Sequence, residues 1–114
     1  MENKNVFSLI ISIVNRGYSD EVMDAARDSG AKGGTIMYAH GAGLHNTETF
    51  FGISIHPEKE IVLILASEET RPHIMQSIVK RVGMESEGVG ITFSLPVTDV
   101  AGIANINNYE TFEK

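Results

Sequence analysis

The residues of this 114-residue chain best suited to chemistry fall in one stretch, from His40 to Glu58. His40, His45 and His56, with Glu48 and Glu58, supply imidazoles and carboxylates, and two imidazoles plus a carboxylate make a workable zinc set. The segment "GGTIMYAHGAG", Gly33 to Gly43, ends in a Gly-x-Gly step beside two of those histidines. It permits three readings: a phosphate cradle, a metal loop through His40 and His45, or a tight turn. His40 closes a predicted strand and His45 falls in a loop, so no rigid element sets their spacing. Surface histidines are the simpler reading, with His40 and His45 as the alternative metal pair. Ser, His and Asp all occur, but there is no nucleophile elbow and no helix-borne histidine pair, so no enzymatic activity is expected. The Gly-x-Gly follows a strand without opening a helix, which removes the helix-terminus phosphate site of a dinucleotide fingerprint.

The elements around this stretch follow from periodicity. Val6 to Val14 is a nearly continuous β-branched run and reads as a central strand. Ser19 is a candidate N-cap, with Asp20 and Glu21 in the first turn; Val22, Ala25, Ala26 and Ser29 recur at helical spacing up to Gly30. Thr35 to His40 is a second strand. Residues 41–60 form a loop with an extended hairpin, in which "FFGISI" alternates and "HPEKE" reads as a solvated, charged turn. Ile61 to Ala66 is a third strand. A helix capped at Ser67 or Thr70 follows, with Pro72 in its first turn and Ile74, Ile78 and Val82 as its stripe. Gly88 to Val97 is the last full strand, and 101–114 is a polar C-terminal arm. The chain reads as one domain, 1–114.

Strand, helix, strand, strand, helix, strand is the order of an α+β, ferredoxin-like βαββαβ sandwich: a four-stranded antiparallel sheet with two helices on one face. In the first strand the row Phe7, Leu9, Ile11 and Ile13 is assigned to the helix side. The other face is left without charged residues in three strands, which predicts self-association around a symmetry axis.

Composition excludes several partners. Nine basic against fifteen acidic residues give a net charge of −6, so a polyanion such as DNA or RNA is not expected. There is no cysteine, hence no disulfide or thiolate metal site. The apolar run "VFSLIISIV" is too short to cross a bilayer and precedes no cleavage pattern, so a cytoplasmic protein without membrane insertion is expected.

In this order and spacing, "SDEVMDAARDSGAKGGTI", "HGAG" and "EGVGITFSLPV" resemble the first helix and second strand, the loop foot and the last strand of the PII-like family of trimeric signal-transduction proteins. The resemblance implies a homotrimer whose inter-subunit clefts bind an adenine nucleotide, with no required cofactor. It also implies a loop that contacts a regulated partner protein, a transporter or an enzyme, in nitrogen regulation. Carried over, the cleft is lined by Thr35, Gly41, Ala42 and Gly43 and by Gly88, Val89 and Gly90. The chain departs from the pattern where the family has a phosphate-binding lysine and two later basic residues: here stand Ile91, Gly102 and Ala104. The loop holds no tyrosine. The rival reading is a divalent-metal-binding ferredoxin-like trimer using the loop histidines.

Overall fold

The structure, a computed structural model, describes residues 6–42, 48–50, 53–55 and 57–102. Strand β1 (Phe7–Asn15) leads to helix α1 (Ser19–Asp28) and strand β2 (Thr35–His40). A small separate hairpin, β3 (Glu48–Phe50) with β4 (Ile53–Ile55), precedes β5 (Glu58–Ser67), helix α2 (Arg71–Val82) and β6 (Gly90–Val97). The main sheet is antiparallel in the order β2-β5-β1-β6, with both helices on one side, which is the ferredoxin-like arrangement.

The core lies between that sheet and the helices. Ile10 and Val14 of β1 and Val62 and Ile64 of β5 meet Val22, Ala25 and Ala26 of α1 and Ile74 and Ile78 of α2, all fully buried. The alanines let α1 approach closely. Across the helix pair the Ser77 hydroxyl donates to the Ala25 carbonyl at 3.2 Å, and Arg81 pairs with Asp28 at 2.8 Å.

This reverses the face assignment made from the sequence. The row of β1 beneath the helices is Ser8, Ile10, Ser12 and Val14, all buried, whereas Leu9, Ile11 and Ile13 turn to the open face. The two serines are tolerated because each is bonded: Ser12 Oγ donates to Thr92 Oγ1 at 2.9 Å, and Ser8 Oγ to Glu68 Oε2 at 2.7 Å.

Two further expectations are corrected. β5 begins at Glu58, so the last three residues of "HPEKE" are strand, and Glu60 is only 6% exposed. Ser19 is the first helical residue of α1 rather than its cap; Tyr18 holds the cap position without a side-chain cap bond. The cap is supplied from the sheet instead: the Glu60 carboxylate accepts the backbone N–H of Ser19 at 3.0 Å. A carboxylate there satisfies an otherwise orphaned donor and meets the positive end of the helix dipole. In α2, Thr70 takes the cap position, and its N–H is accepted by Ser67 Oγ at 3.2 Å.

The open face of the sheet is a grid of apolar side chains in register. Leu65, Leu9 and Leu95 form one row; Leu63, Ile11 and Phe93 the next; Ile61, Ile13 and Ile91 the third. β2 extends the last two with Thr35 and Met37. The β6 edge is the most open, with Ile91 at 56% and Leu95 at 48% exposure. No ionised side chain interrupts the three rows, and a patch of that kind marks an interaction surface.

Candidate functional site

One end of the sheet gathers the chain's polar side chains. There β1 finishes, β2 finishes, β5 starts and β6 starts, so Asn15, His40, Glu58, Lys59 and Gly90 come to a common edge. Asn15 is the hub. Its Nδ2 donates to the Gly88 carbonyl at 3.3 Å, and its Oδ1 accepts from Lys59 Nζ at 2.7 Å. Lys59 in turn lies under Gly41, where a Cβ would sit 2.9 Å from Lys59 Cε. The absent side chain at Gly41 is therefore what lets the lysine stem pass. The Gly41 N–H is fixed by the Pro57 carbonyl at 2.7 Å. A relay of Gly88, Asn15, Lys59 and Gly41 thus spans the sheet end.

On the helix side of β2, an open cleft of about 330 Å³ is lined by Arg16, Tyr38, Ala39, His40, Glu58 and Lys59. Arg16 is ion-paired with Glu58 at its mouth, and Tyr38 is 78% exposed. In a chain of net charge −6, this end holds two permanent cations and an imidazole within one cleft. Beside it, hydrogen bonding from Ser19 holds the Glu60 carboxyl below its ordinary range, against the opposing effect of burial; the backbone N–H groups of Gly17 and Ser19 and the nearby Arg16 charge add to the lowering.

The residues carried over from the resemblance occupy both edges of the sheet. Thr35 opens β2, and Gly41 and Ala42 follow its end. Gly88 and Val89 lead into β6, which Gly90 opens, on the other edge. Two strands intervene, so three inter-strand steps separate the groups by roughly 14 Å. One chain therefore does not bring the glycine sets together around a common pocket. Gly43 and Ala104 lie outside the described residues. Gly90 is held by packing: an added Cβ would stand 2.9 Å from the Ile13 carbonyl oxygen and 3.1 Å from Val14 Cγ1. Gly90→Ala must prise β6 from β1, and the expected loss is about 1–3 kcal/mol in urea unfolding; an unchanged midpoint would refute that account.

Of the alternative metal pair, His40 lines the cleft, whereas His45 and also His56 fall outside the described residues. Among the described residues, no group of three or more His, Asp or Glu side chains is placed to hold a metal ion. Ile91, noted from the sequence as a departure from the resembled pattern, joins the apolar grid opposite Ile13. Asn15, Tyr38 and Lys59 were not singled out from the sequence. "NRGY" and "HPEKE" look like turns, and only the register that sets Asn15 opposite Lys59 exposes their partnership.

An antiparallel sheet of this order with two helices on one side, its other face apolar and its candidate glycines split between edges, defines a ferredoxin-like α+β protein. The chain belongs to the nitrogen regulatory protein P-II family, whose model matches residues 7–105. Solved structures share the fold. PII of Arabidopsis thaliana, in a structure with citrate bound, aligns with a TM-score of 0.70 over 90% of this chain and 87% of that one, at 22% identity. No curated protein sequence matches the chain. None of the helices among the described residues is long and apolar enough to cross a membrane.

Proposed function

We propose that the chain works as a cytoplasmic homotrimeric PII-type regulator, not a catalyst, and senses a small anionic metabolite in the clefts between neighbouring copies. The observation that carries this reading is the open face of the sheet. Its three apolar rows face away from the chain's own helices and need a cover, and three copies packed sheet-inward provide one. The same packing sets the β2 edge of one copy beside the β6 edge of the next, so that Gly41 and Ala42 meet Gly88 to Gly90. Backbone N–H groups at those glycines and the Lys59 ammonium then bind the anion.

An adenine nucleotide is the first probe. Citrate, which the Arabidopsis PII structure carries, is the second. Ile91 and Gly102 in place of cations favour a ligand with fewer negative charges than a triphosphate. Binding alters how the segment between β2 and β5 meets a partner protein, a transporter or an enzyme.

Light scattering is expected to report three times the 12.4 kDa chain mass. Calorimetry with ATP, ADP, AMP and citrate is expected to detect at least one ligand. Lys59→Ala is expected to weaken it about tenfold, the equivalent of ~1.4 kcal/mol. Silence across the panel from a well-folded trimer would reject metabolite sensing.

A further inference from the structure

Beyond Ile13 and Ile61 the open face of the sheet changes character. Side chains alternate along a strand, so Asn15 follows Leu9, Ile11 and Ile13 on that face of β1, and Lys59 precedes Ile61, Leu63 and Leu65 on the same face of β5. Register sets the two side by side, and the apolar rows end in a polar one. A neutral amide holds that row. Each of the four arginines is ion-paired with a carboxylate: Arg16 with Glu58, Arg27 with Asp24, Arg71 with Glu68 and Arg81 with Asp28. Lys59 differs. Its Nζ donates to Asn15 Oδ1 at 2.7 Å, which fixes the ammonium in place without cancelling its charge.

The partners settle which way the amide points. An ammonium only donates and a carbonyl only accepts, so Oδ1 faces Lys59 and Nδ2 faces the Gly88 carbonyl, at 3.3 Å. The second bond acts beyond Gly88. The Gly88–Val89 peptide is trans and planar, so its N–H points opposite to its C=O. With the carbonyl turned to Asn15, the Val89 N–H is turned away from it, to the side on which β6 has no neighbouring strand. At the other edge, the Lys59 stem is packed beneath Gly41. One side chain on an inner strand thus sets a cation near one edge of the sheet and a backbone donor at the other.

We propose that Asn15 is the positioning residue of the anion clefts: its amide oxygen holds the Lys59 ammonium beside Gly41 for one cleft, and its amide nitrogen, through the Gly88 carbonyl, aims the Val89 N–H into the next. The assignment rests on the sensing role proposed above and names the residue that prepares both halves of the site. Asn15 does not touch the ligand. It acts by holding two donors in the geometry that an anion requires, so that binding need not first order a long, flexible lysine.

Two variants and two readouts test this, in protein whose circular dichroism and light scattering match the wild type. In reductive methylation followed by mass spectrometry, Lys59 of Asn15→Ala is expected to react several-fold faster than in the wild type, with the exposed Lys32 and Lys80 unchanged as references. In calorimetry with ADP and with citrate, Asn15→Ala is expected to lose at least as much affinity as Lys59→Ala. Adding Lys59→Ala to Asn15→Ala is expected to cost little more, because the two act as a unit. Asn15→Asp still accepts from Lys59 but offers Gly88 no donor and cancels the ammonium charge. It is expected to methylate as slowly as the wild type and yet bind more weakly than Asn15→Ala. Equal Lys59 reactivity in the wild type and Asn15→Ala, or additive losses in the double variant, would overturn the assignment. Wild-type binding that Asn15→Ala leaves unchanged would overturn it alone, whereas wild-type silence towards both probes would sink the sensing role and this assignment together.

Discussion

Phe93→Asp is expected to turn the proposed trimer into a lone 12.4 kDa particle with its helices intact. Phe93 is the β6 member of the middle apolar row, in register with Ile11 and through it with Leu63, and it is 37% exposed on the open face. It does not touch the layer where Ile10, Ile64, Ile74 and Ile78 close the core, so an isolated chain can fold around a water-facing aspartate there. In the proposed trimer the same group would be buried three times about one axis. Each carboxylate loses hydration without a partner in the row, at a cost of several kcal/mol, and the three repel one another. Phe93→Leu keeps the row apolar and is expected to remain trimeric. Because the glycine sets lie on opposite edges of the sheet, the Asp variant is also expected to lose ligand binding while keeping Lys59 and Asn15 in place. A Phe93→Asp protein that scatters as three copies would refute both the interface and the shared cleft.

The same face shows where reading the sequence runs out. The order of the elements, the span of β2 from Thr35 to His40, and an uncharged open face were all legible, because continuous β-branched runs, glycine stops and helical spacing are local signals. Which row of β1 faces the helices was not. Both rows are apolar enough to be buried, and the more hydrophobic one was given to the chain's own core. It belongs on the open face. The serine-bearing row goes inside because Ser12 finds Thr92, and Ser8 finds Glu68, across sequence separations of 80 and 60 residues. Glu60 was hidden for the same reason. Its partner Ser19 is 41 residues away, so "HPEKE" looked like a solvated turn. The glycines of the candidate site were visible as a pattern, whereas the Asn15–Lys59 bridge between them exists only through strand register.

Glu60 also sets the second large expected effect. Buried at 6% exposure, it accepts from Ser19 and caps α1 from the neighbouring strand. Glu60→Ala leaves the buried Ser19 N–H, and the Ser19 side-chain and Gly17 backbone donors to the same carboxylate, without that acceptor. At about 1–3 kcal/mol for each orphaned group, the expected loss is ~3 kcal/mol, a fall in Tm on the order of 10 °C for a chain of this size. Both measurements belong at one protein concentration, since the proposed assembly would contribute to stability. The acid limb of the stability curve tests the charge separately. Glu60 is held below its ordinary value of 4.5, principally by hydrogen bonding from Ser19, and Glu68 below the same value, principally by hydrogen bonding from Arg71 and then from Ser8. A folded-state value below the unfolded one means that the unfolded chain binds more protons. The stabilisation is then complete above about pH 4.5 and is lost as pH falls through that value towards the lowered one. Glu68 is 41% exposed, so solvent screens most of its share and Glu60 dominates the slope. Glu60→Gln keeps an amide oxygen to cap α1 but removes the titration. Urea midpoints measured from pH 7 down to pH 3 are expected to fall more steeply for the wild type than for Glu60→Gln, the two curves converging in acid. Parallel curves would mean that the carboxylate carries no charge-dependent role in holding the helix to the sheet.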